Sequence, residues 1–134
     1  MGLVIDTNFF IDVENKRRLI NLDKFSDYGG AYISAITVSE LLAGVHLAST
    51  MEQKIKRSAF VEGIISKIPV LDFNEEVARS YAEIYAYFLK PRNKPAANVH
   101  DLQIAATALA NGFAVLTSNV SDFDKVPGLI VVSP

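Results

Sequence analysis

Acidic residues recur in this sequence just beyond short apolar runs, where a buried strand would end. Asp6 follows "LVI" (3–5), Glu40 lies within "AITVSELLAG", and Asp101 lies within "VHDLQIAATALANG". If these carboxylates meet in one cleft, their like charges repel and raise the pKa of at least one of them. A hard cation such as Mg²⁺ or Mn²⁺ relieves that repulsion because it binds carboxylate and water oxygens. The pattern therefore predicts a metal site that activates water for attack on a phosphoryl group.

Each acid also has a simpler conformational explanation. Thr37 and Glu40 have the spacing of a capping box, with Thr37 as the N-cap residue of a helix and Glu40 at its third position. Asn98 and Asp101 repeat that spacing, and acids in a first helical turn favour the helix dipole. Asp6 would then simply begin a helix. For any one acid alone, capping is the more common role.

The helical neighbours of Glu40 and Asp101 favour the metal-site interpretation. Residues three and four positions apart share one face of a helix, and both acids begin a face of apolar and small residues. Such a face should be buried against the sheet, so each carboxylate would point into a cleft instead of open water. The face after Glu40 comprises Ala43, Gly44 and Leu47, and the face after Asp101 comprises Ile104, Ala105 and Ala108.

The elements that position these acids alternate between strand and helix. The apolar runs are nearly continuous in Val, Ile, Leu and aromatic residues, which is typical of strands buried on both faces of a parallel sheet. We therefore predict an α/β fold, a single domain over 1–134 with a central parallel sheet of about five strands flanked by helices. Ligands bind such sheets beyond the carboxyl ends of the strands. The predicted strands are 3–5, 31–36, 68–71, 113–117 and 129–132, and the predicted helices are 8–13, 17–25, 38–49, 52–67, 75–89 and 99–111.

Composition excludes several classes of function. With 13 basic and 15 acidic residues, the net charge is -2, so RNA contact would need a local basic patch. The absence of cysteine excludes disulfides and cysteine-ligated zinc. Only two histidines are present, which argues against a zinc enzyme and against the histidine pair of metal-free ribonucleases. No apolar run approaches the roughly 20 residues that span a bilayer, and we expect a soluble cytoplasmic protein.

Motifs of other enzyme classes are missing from the sequence. There is no G-x-S-x-G elbow, no Walker A loop and no G-x-G-x-x-G segment. The segment "IDTN" is similar to the D-x-D loop of aspartyl-phosphate phosphatases. Asn8 replaces the second acid of that loop, and an amide cannot donate a proton in its place.

Four segments, in order, carry a resemblance to a known family. They are "LVIDTNFFID", "ISAITVSELLAGV", "NVHDLQIAATALANG" and "AVLTSNVSDF". The chain resembles the PIN domain, and more closely the VapC-type toxins of bacterial type II toxin–antitoxin pairs. The resemblance implies a Mg²⁺- or Mn²⁺-dependent endoribonuclease that hydrolyses RNA phosphodiester bonds. It also implies that Asp6, Glu40 and Asp101 are catalytic acids that hold the metal.

The family's fourth acid lies in a segment that corresponds here to 117–123. Asn119 occupies a position that is acidic in many PIN proteins, and an amide adds no charge there. Either a second metal site is lost, or the role passes to Asp122, which the resemblance makes the fourth catalytic acid. The resemblance also implies supporting roles beside the metal for Thr7, Ser39, Thr117 and Asn119.

RNA can reach an acidic pocket only if basic residues stand nearby. Lys90, Arg92 and Lys94 lie in the loop that leads to the third acid, and their phosphate contacts would make RNA affinity depend on salt. The basic clusters at 54–57 and 16–18 are alternatives. Each cluster taken singly is as readily explained as solvated surface charge.

The resemblance also implies partners. They are an RNA substrate (tRNA, rRNA or another RNA), a second copy in a homodimer, and a cognate VapB-type antitoxin in a groove of helices 38–49 and 52–67. Two other functions stay open. One is a catalytically silent PIN-like module that binds RNA or protein, which Asn119 favours. The other is a small-molecule phosphohydrolase that uses the same acids.

Overall fold

A parallel sheet forms the centre of the structure. The computed structural model describes residues 1–15, 21–90 and 98–134. In these ranges five strands are found, at Gly2–Ile5 (β1), Gly30–Ser34 (β2), Val70–Leu71 (β3), Ala114–Leu116 (β4) and Val131–Val132 (β5). All their pairings are parallel, in the order β3-β2-β1-β4-β5. The predicted α/β class with a central parallel sheet is confirmed.

Helices cover both faces of this sheet. The α-helices in the described ranges are Thr7–Glu14 (α1), Ala35–His46 (α2), Met51–Lys67 (α3), Glu75–Leu89 (α4) and Val99–Asn111 (α5). Leu3 and Ile5 of β1 belong to a core with α1, α2 and α3, whereas Val4 belongs to a second core with α4 and α5. Burial on both faces explains why the strand sequences are continuously apolar. Among the described helices, none is long and apolar enough to cross a membrane.

The prediction was wrong where β2 meets α2. The strand ends at Ser34, not at residue 36, and α2 begins at Ala35, three residues before the predicted start. The reason is a cap that the sequence reading missed, because the Ser34 hydroxyl accepts the amide N–H of Ile36 at 3.0 Å. The proposed capping box of Thr37 and Glu40 is therefore wrong, since both residues lie inside α2.

The predicted helix over 17–25 is also wrong for its described part. Residues 16–20 lie outside the described ranges, and a 3₁₀ helix follows at Asp23–Tyr28. The Asn21 side chain accepts the Asp23 amide N–H at 3.1 Å, a local bond that competes with α-helix formation. Gly29 then adopts a φ of 92°, which suits glycine and turns the chain into β2. The remaining predicted elements are confirmed, with ends that differ by no more than three residues.

The helix face that follows Glu40 is not buried, contrary to the prediction. Leu47 is 79% exposed, and Ala43 is also exposed. The buried stripe of α2 consists of Thr37, Leu41 and Val45. Because Glu40 borders that stripe, it lies at the boundary between core and solvent. The predicted face after Asp101 is confirmed, since Ile104, Ala105 and Ala108 are fully buried.

The strand order creates a crevice beside β1. From β1 the chain builds the sheet outward to β2 and β3, and then returns to add β4 and β5 on the other side. Ligands bind where the strand order reverses in this way, beyond the carboxyl ends of the two central strands. Asp6 follows β1 directly and Thr117 follows β4 directly. The Asp6 amide N–H donates to the Leu116 carbonyl at 2.8 Å, which holds the two strand ends together.

Small residues let α5 approach the sheet closely. Ala105 is fully buried where α5 packs against β1 and β4. We expect Ala105→Leu to lower the free energy of unfolding by on the order of 1–3 kcal/mol, because added methyl groups displace a filled core. Ala82→Leu, at an exposed position of α4, is the matched control. Urea unfolding measures both, and equal stabilities would contradict this packing of α5.

Candidate active site

Asp6 is a buried carboxylate with one oxygen left unpaired. Its Oδ2 accepts the Thr117 hydroxyl at 2.9 Å and the Asn8 side-chain amide at 3.3 Å. Its Oδ1 is buried and has no hydrogen-bond partner among the described residues. Asp6 occupies the N-cap position of α1, but its carboxyl makes no capping hydrogen bond. Because an unpaired buried oxygen is costly, this carboxyl is suited to bind a ligand.

Asp101 stands in the first turn of α5, and its position depends on the start of that helix. The Asn98 side chain accepts the Asp101 amide N–H at 2.9 Å, so the predicted capping role of Asn98 is confirmed. The Asp101 side chain is itself buried. Its neighbours on α5 face the core, so the carboxyl faces the crevice at the top of β1 and β4.

The four acids that the sequence singled out lie close enough for their charges to affect the pKa values of Asp6 and Asp101. Burial raises the pKa of Asp6 to about 6, with the Glu40 charge as a smaller contribution. Burial first, and then the charges of Asp6, Asp122 and Glu40, together raise the pKa of Asp101 to about 7. The four carboxyls therefore share one electrostatic field, in which ionisation of all four is unfavourable without a cation.

Glu40 is held at both of its carboxylate oxygens. Its Oε1 accepts the Thr7 hydroxyl at 2.7 Å, and its Oε2 lies 3.3 Å from Nδ1 of His100. The Thr7 hydroxyl also lies 3.0 Å from the Thr37 hydroxyl. Thr7 has one hydroxyl proton, and the Glu40 carboxylate is the stronger acceptor, so Thr7 donates to Glu40. The Thr37 hydroxyl then donates to the Thr7 oxygen. Sequence reasoning assigned Thr37 only to capping, and no local pattern pointed to this contact.

The segment after β4 places Asp122 and leaves Asn119 at the surface. The Thr117 hydroxyl donates to Asp6 and accepts the Asn119 amide N–H at 2.9 Å. The Asn119 carbonyl accepts the Asp122 amide N–H at 3.0 Å and begins the 3₁₀ helix Val120–Asp122. The Asn119 side chain is exposed, whereas Asp122 is half-buried and acts on Asp101. Asn119 thus shapes this turn through its backbone.

The remaining predicted site residues lie apart from this network. The Ser39 hydroxyl is exposed and donates to the Ile36 carbonyl of its own helix at 2.7 Å. This described hydrogen bond lies within α2 and does not support the predicted role of Ser39 beside the metal. Lys90 is exposed at the end of α4. Arg92 and Lys94 fall in 91–97, outside the described residues. The cluster at 16–18 is outside them too, whereas Lys54 and Lys56 are exposed on α3.

The acids fit an open metal site better than a closed cage. In the ranges that the structure describes, no three His, Asp or Glu side chains are arranged to enclose a metal ion. The unpaired Oδ1 of Asp6 and the neighbouring Asp101 carboxyl nevertheless offer hard oxygen donors. Mg²⁺ usually takes one or two protein carboxylates and keeps several waters. These residues therefore fit a hydrated Mg²⁺ or Mn²⁺ ion.

Comparison with known sequences gives consistent matches over nearly the whole chain. The PIN domain family model matches residues 3–129. The chain is 40% identical over 133 residues to ribonuclease VapC1 of Rickettsia felis, covering 99% of this chain and 96% of that protein. It is 31% identical over 131 residues to the tRNA(fMet)-specific endonuclease VapC of Salmonella typhimurium, covering 96% of this chain and 95% of that one.

Solved structures show the same fold. A DNA-bound VapBC complex from Salmonella typhimurium contains a chain that matches with a TM-score of 0.84 and 27% identity, over 99% of this chain and 98% of that one. A chain of VapBC2 from Rickettsia felis, bound to a promoter DNA fragment, matches with a TM-score of 0.87 over 100% and 99% of the two chains. Its identity is 23%, so this second likeness concerns the fold alone.

The raised pKa values predict how stability depends on pH without divalent cations. Folded Asp101 holds a proton up to about pH 7, whereas the unfolded chain releases it near pH 3.8, so stability is lost progressively as pH rises from about 4 to about 7. We expect Asp101→Asn to raise the free energy of unfolding by on the order of 2 kcal/mol at pH 8 and to change it little at about pH 4. Urea unfolding in EDTA measures this, with exposed Asp27→Asn as control. Parallel pH profiles for Asp101→Asn and wild type would contradict it.

Proposed function

We propose that this chain is a Mg²⁺- or Mn²⁺-dependent endoribonuclease. The premise is that it belongs to the PIN domain family and is a VapC-type ribonuclease toxin of a VapBC system. The observation that carries the metal requirement is the buried, unpaired Oδ1 of Asp6 beside the Asp101 carboxyl. Asp6 and Asp101 would hold the ion directly. When bound, the ion would activate water and stabilise charge on the phosphoryl oxygens.

The side chains around the acids have separate tasks in this proposal. Thr117 donates to Oδ2 of Asp6, whereas the buried Oδ1 has no hydrogen-bond partner in the described residues. Thr7 fixes the Glu40 carboxylate, and Asp122 supplies the fourth negative charge. His46 lies exposed at the end of α2. An acid–base histidine pair for metal-free cleavage therefore has little support.

We infer that the substrate is RNA whose backbone crosses the carboxyl edge of the sheet. One relative is named a tRNA(fMet)-specific endonuclease, which supports tRNA as the first substrate to test. Lys90, Arg92 and Lys94 belong to the segment that leads into α5 and hence towards Asp101. Their charges would offset phosphate repulsion by the acids, and they would contribute affinity with little sequence preference.

We also infer a VapB-type antitoxin partner, because relatives were crystallised as VapBC complexes. The homodimer that the resemblance implies stays a prediction. The groove between α2 and α3 is the proposed antitoxin site. Exposed apolar side chains in it, including Met51 and Ile55, suit the apolar face of a peptide helix. The groove is lined by Val45, Met51, Lys54, Ile55, Ser58, Ala59 and Glu62.

The acids predict a sharp pattern of activity loss. Wild type should cleave tRNA with added Mn²⁺ and stop in EDTA, because the ion held by Asp6 and Asp101 would activate the attacking water. Asp6→Asn and Asp101→Asn should lower cleavage by about a hundredfold or more, the scale of losing a central electrostatic group. Asp122→Asn should also lower it, whereas Asn119→Ala should keep it, since the Asn119 side chain is exposed.

Exposed Asp27→Asn serves as the matched acid control for this series. Equal cleavage by wild type and Asp6→Asn would refute the assigned site. Hydrolysis of phosphomonoesters without RNA cleavage would support the small-molecule phosphohydrolase. Tight RNA or antitoxin binding without any cleavage would support a silent binding module.

The basic segment predicts a change in salt dependence. Replacing Lys90, Arg92 and Lys94 together with Ala should reduce the slope of log affinity against log salt by about 2, because each lost phosphate contact removes counterion release. Fluorescence anisotropy with tRNA and inactive Asp101→Asn protein measures that slope. The paired change of Lys54 and Lys56 to Ala is the control. A larger effect of the control pair would assign the RNA contact to α3.

A further inference from the structure

A histidine bridges the two helices that carry acids. Nδ1 of His100, in the first turn of α5, lies 3.3 Å from Oε2 of Glu40 in α2, 60 residues earlier in the chain. The Asn98 cap fixes the turn from which His100 projects. No local sequence pattern pointed to this contact, because its two residues lie 60 positions apart. The structure joins His100 to a carboxylate of the candidate site.

The protonation of this contact follows from its partners. A carboxylate accepts hydrogen bonds, so the form of His100 that makes this contact is the one with a proton on Nδ1. On the other side of Glu40, Oε1 accepts the Thr7 hydroxyl at 2.7 Å. Among the described residues, each Glu40 oxygen therefore has one hydrogen-bond donor, and each retains capacity to accept from water. Asp6 differs, because its Oδ1 has no partner in the described ranges.

Because their oxygens are bound differently, Asp6 and Glu40 suit different roles. The unpaired oxygen of Asp6 suits a direct bond to a cation, whereas the two held oxygens of Glu40 suit an oriented carboxylate that accepts hydrogen bonds from water. The His100 side chain is 57% exposed and that of Glu40 is 27% exposed. A contact so exposed adds little to folding stability, so its benefit should appear in activity.

We propose that His100 is a positioning residue: through Nδ1 it holds Glu40 in the orientation that aligns the attacking water, without taking part in metal binding. This inference rests on the proposed ribonuclease function. It assigns Glu40 a role towards water and leaves Asp6 and Asp101 as the groups that bind the ion. No part of it requires His100 to touch the RNA.

Two substitutions separate positioning from substrate contact. His100→Asn keeps an amide donor near the Nδ1 position and removes Nε2, whereas His100→Gln places a donor near Nε2 and removes Nδ1. We expect His100→Ala and His100→Gln to lower kcat about tenfold, the scale on which such supporting contacts act, and His100→Asn to restore most of it. KM should stay within about twofold for all three, because the loss concerns the reaction step.

The same proteins are then tested for metal binding and histidine protonation. Mn²⁺ affinity, measured by electron paramagnetic resonance, should be unchanged in the His100 variants and lost in Asp101→Asn. With only two histidines in the chain, ¹⁵N spectra assigned with His46→Ala should show a protonated Nδ1 in His100. His46→Ala also serves as the control with unaltered cleavage, since His46 is exposed at the end of α2.

Several outcomes would overturn this inference. Rescue by Gln and not by Asn would make His100 a substrate contact. Weaker Mn²⁺ binding in His100→Ala would make Glu40 a direct ligand, and an unprotonated Nδ1 would remove the contact itself. Failure of the proposed function looks different, because wild type would then neither bind Mn²⁺ through Asp101 nor cleave RNA.

Discussion

The burial of Asp6 at the end of β1 is the constraint on which the site depends. The strand is covered by helices on both faces, and Asp6, which follows it directly, is itself buried. Its amide N–H bonds Leu116 and its Oδ2 accepts the Thr117 hydroxyl, so both bonds come from the neighbouring strand end. The parallel register of β1 and β4 therefore sets the position of the acid, and the neighbouring strands leave Oδ1 without a partner.

The buried acids of this site lower the stability of the folded chain. Burial and mutual repulsion raise the pKa values of Asp6 and Asp101, so their charged forms are disfavoured near neutral pH. The closely packed α5, with its run of buried small residues, supplies part of the stability that offsets this cost. The proposed activity would thus depend on a local arrangement that folding alone does not favour, and a bound cation would stabilise that arrangement.

Local patterns predicted the elements well and the contacts between them less well. Continuous apolar runs indicated β1 and β4, and the Asn98 cap and the buried face after Asp101 were visible as spacing in the sequence. The start of α2 was missed because Ser34 caps from inside an apolar run. The bridges from Glu40 to Thr7 and His100 span 33 and 60 residues, so they follow only once the strand order is known.

Asn119 is neutral where the PIN resemblance led us to expect an acid, and Asp122, three residues later, acts on Asp101. Within the described chain, the contribution of Asn119 to the turn is a backbone one, since its N–H bonds Thr117 and its carbonyl receives the Asp122 N–H. Those bonds form with any residue that can adopt the same backbone conformation. They begin a 3₁₀ turn that brings Asp122 into the field of Asp101. The negative charge is thereby carried three residues later, and the amide at 119 is compatible with an active site because the turn does not depend on its side chain.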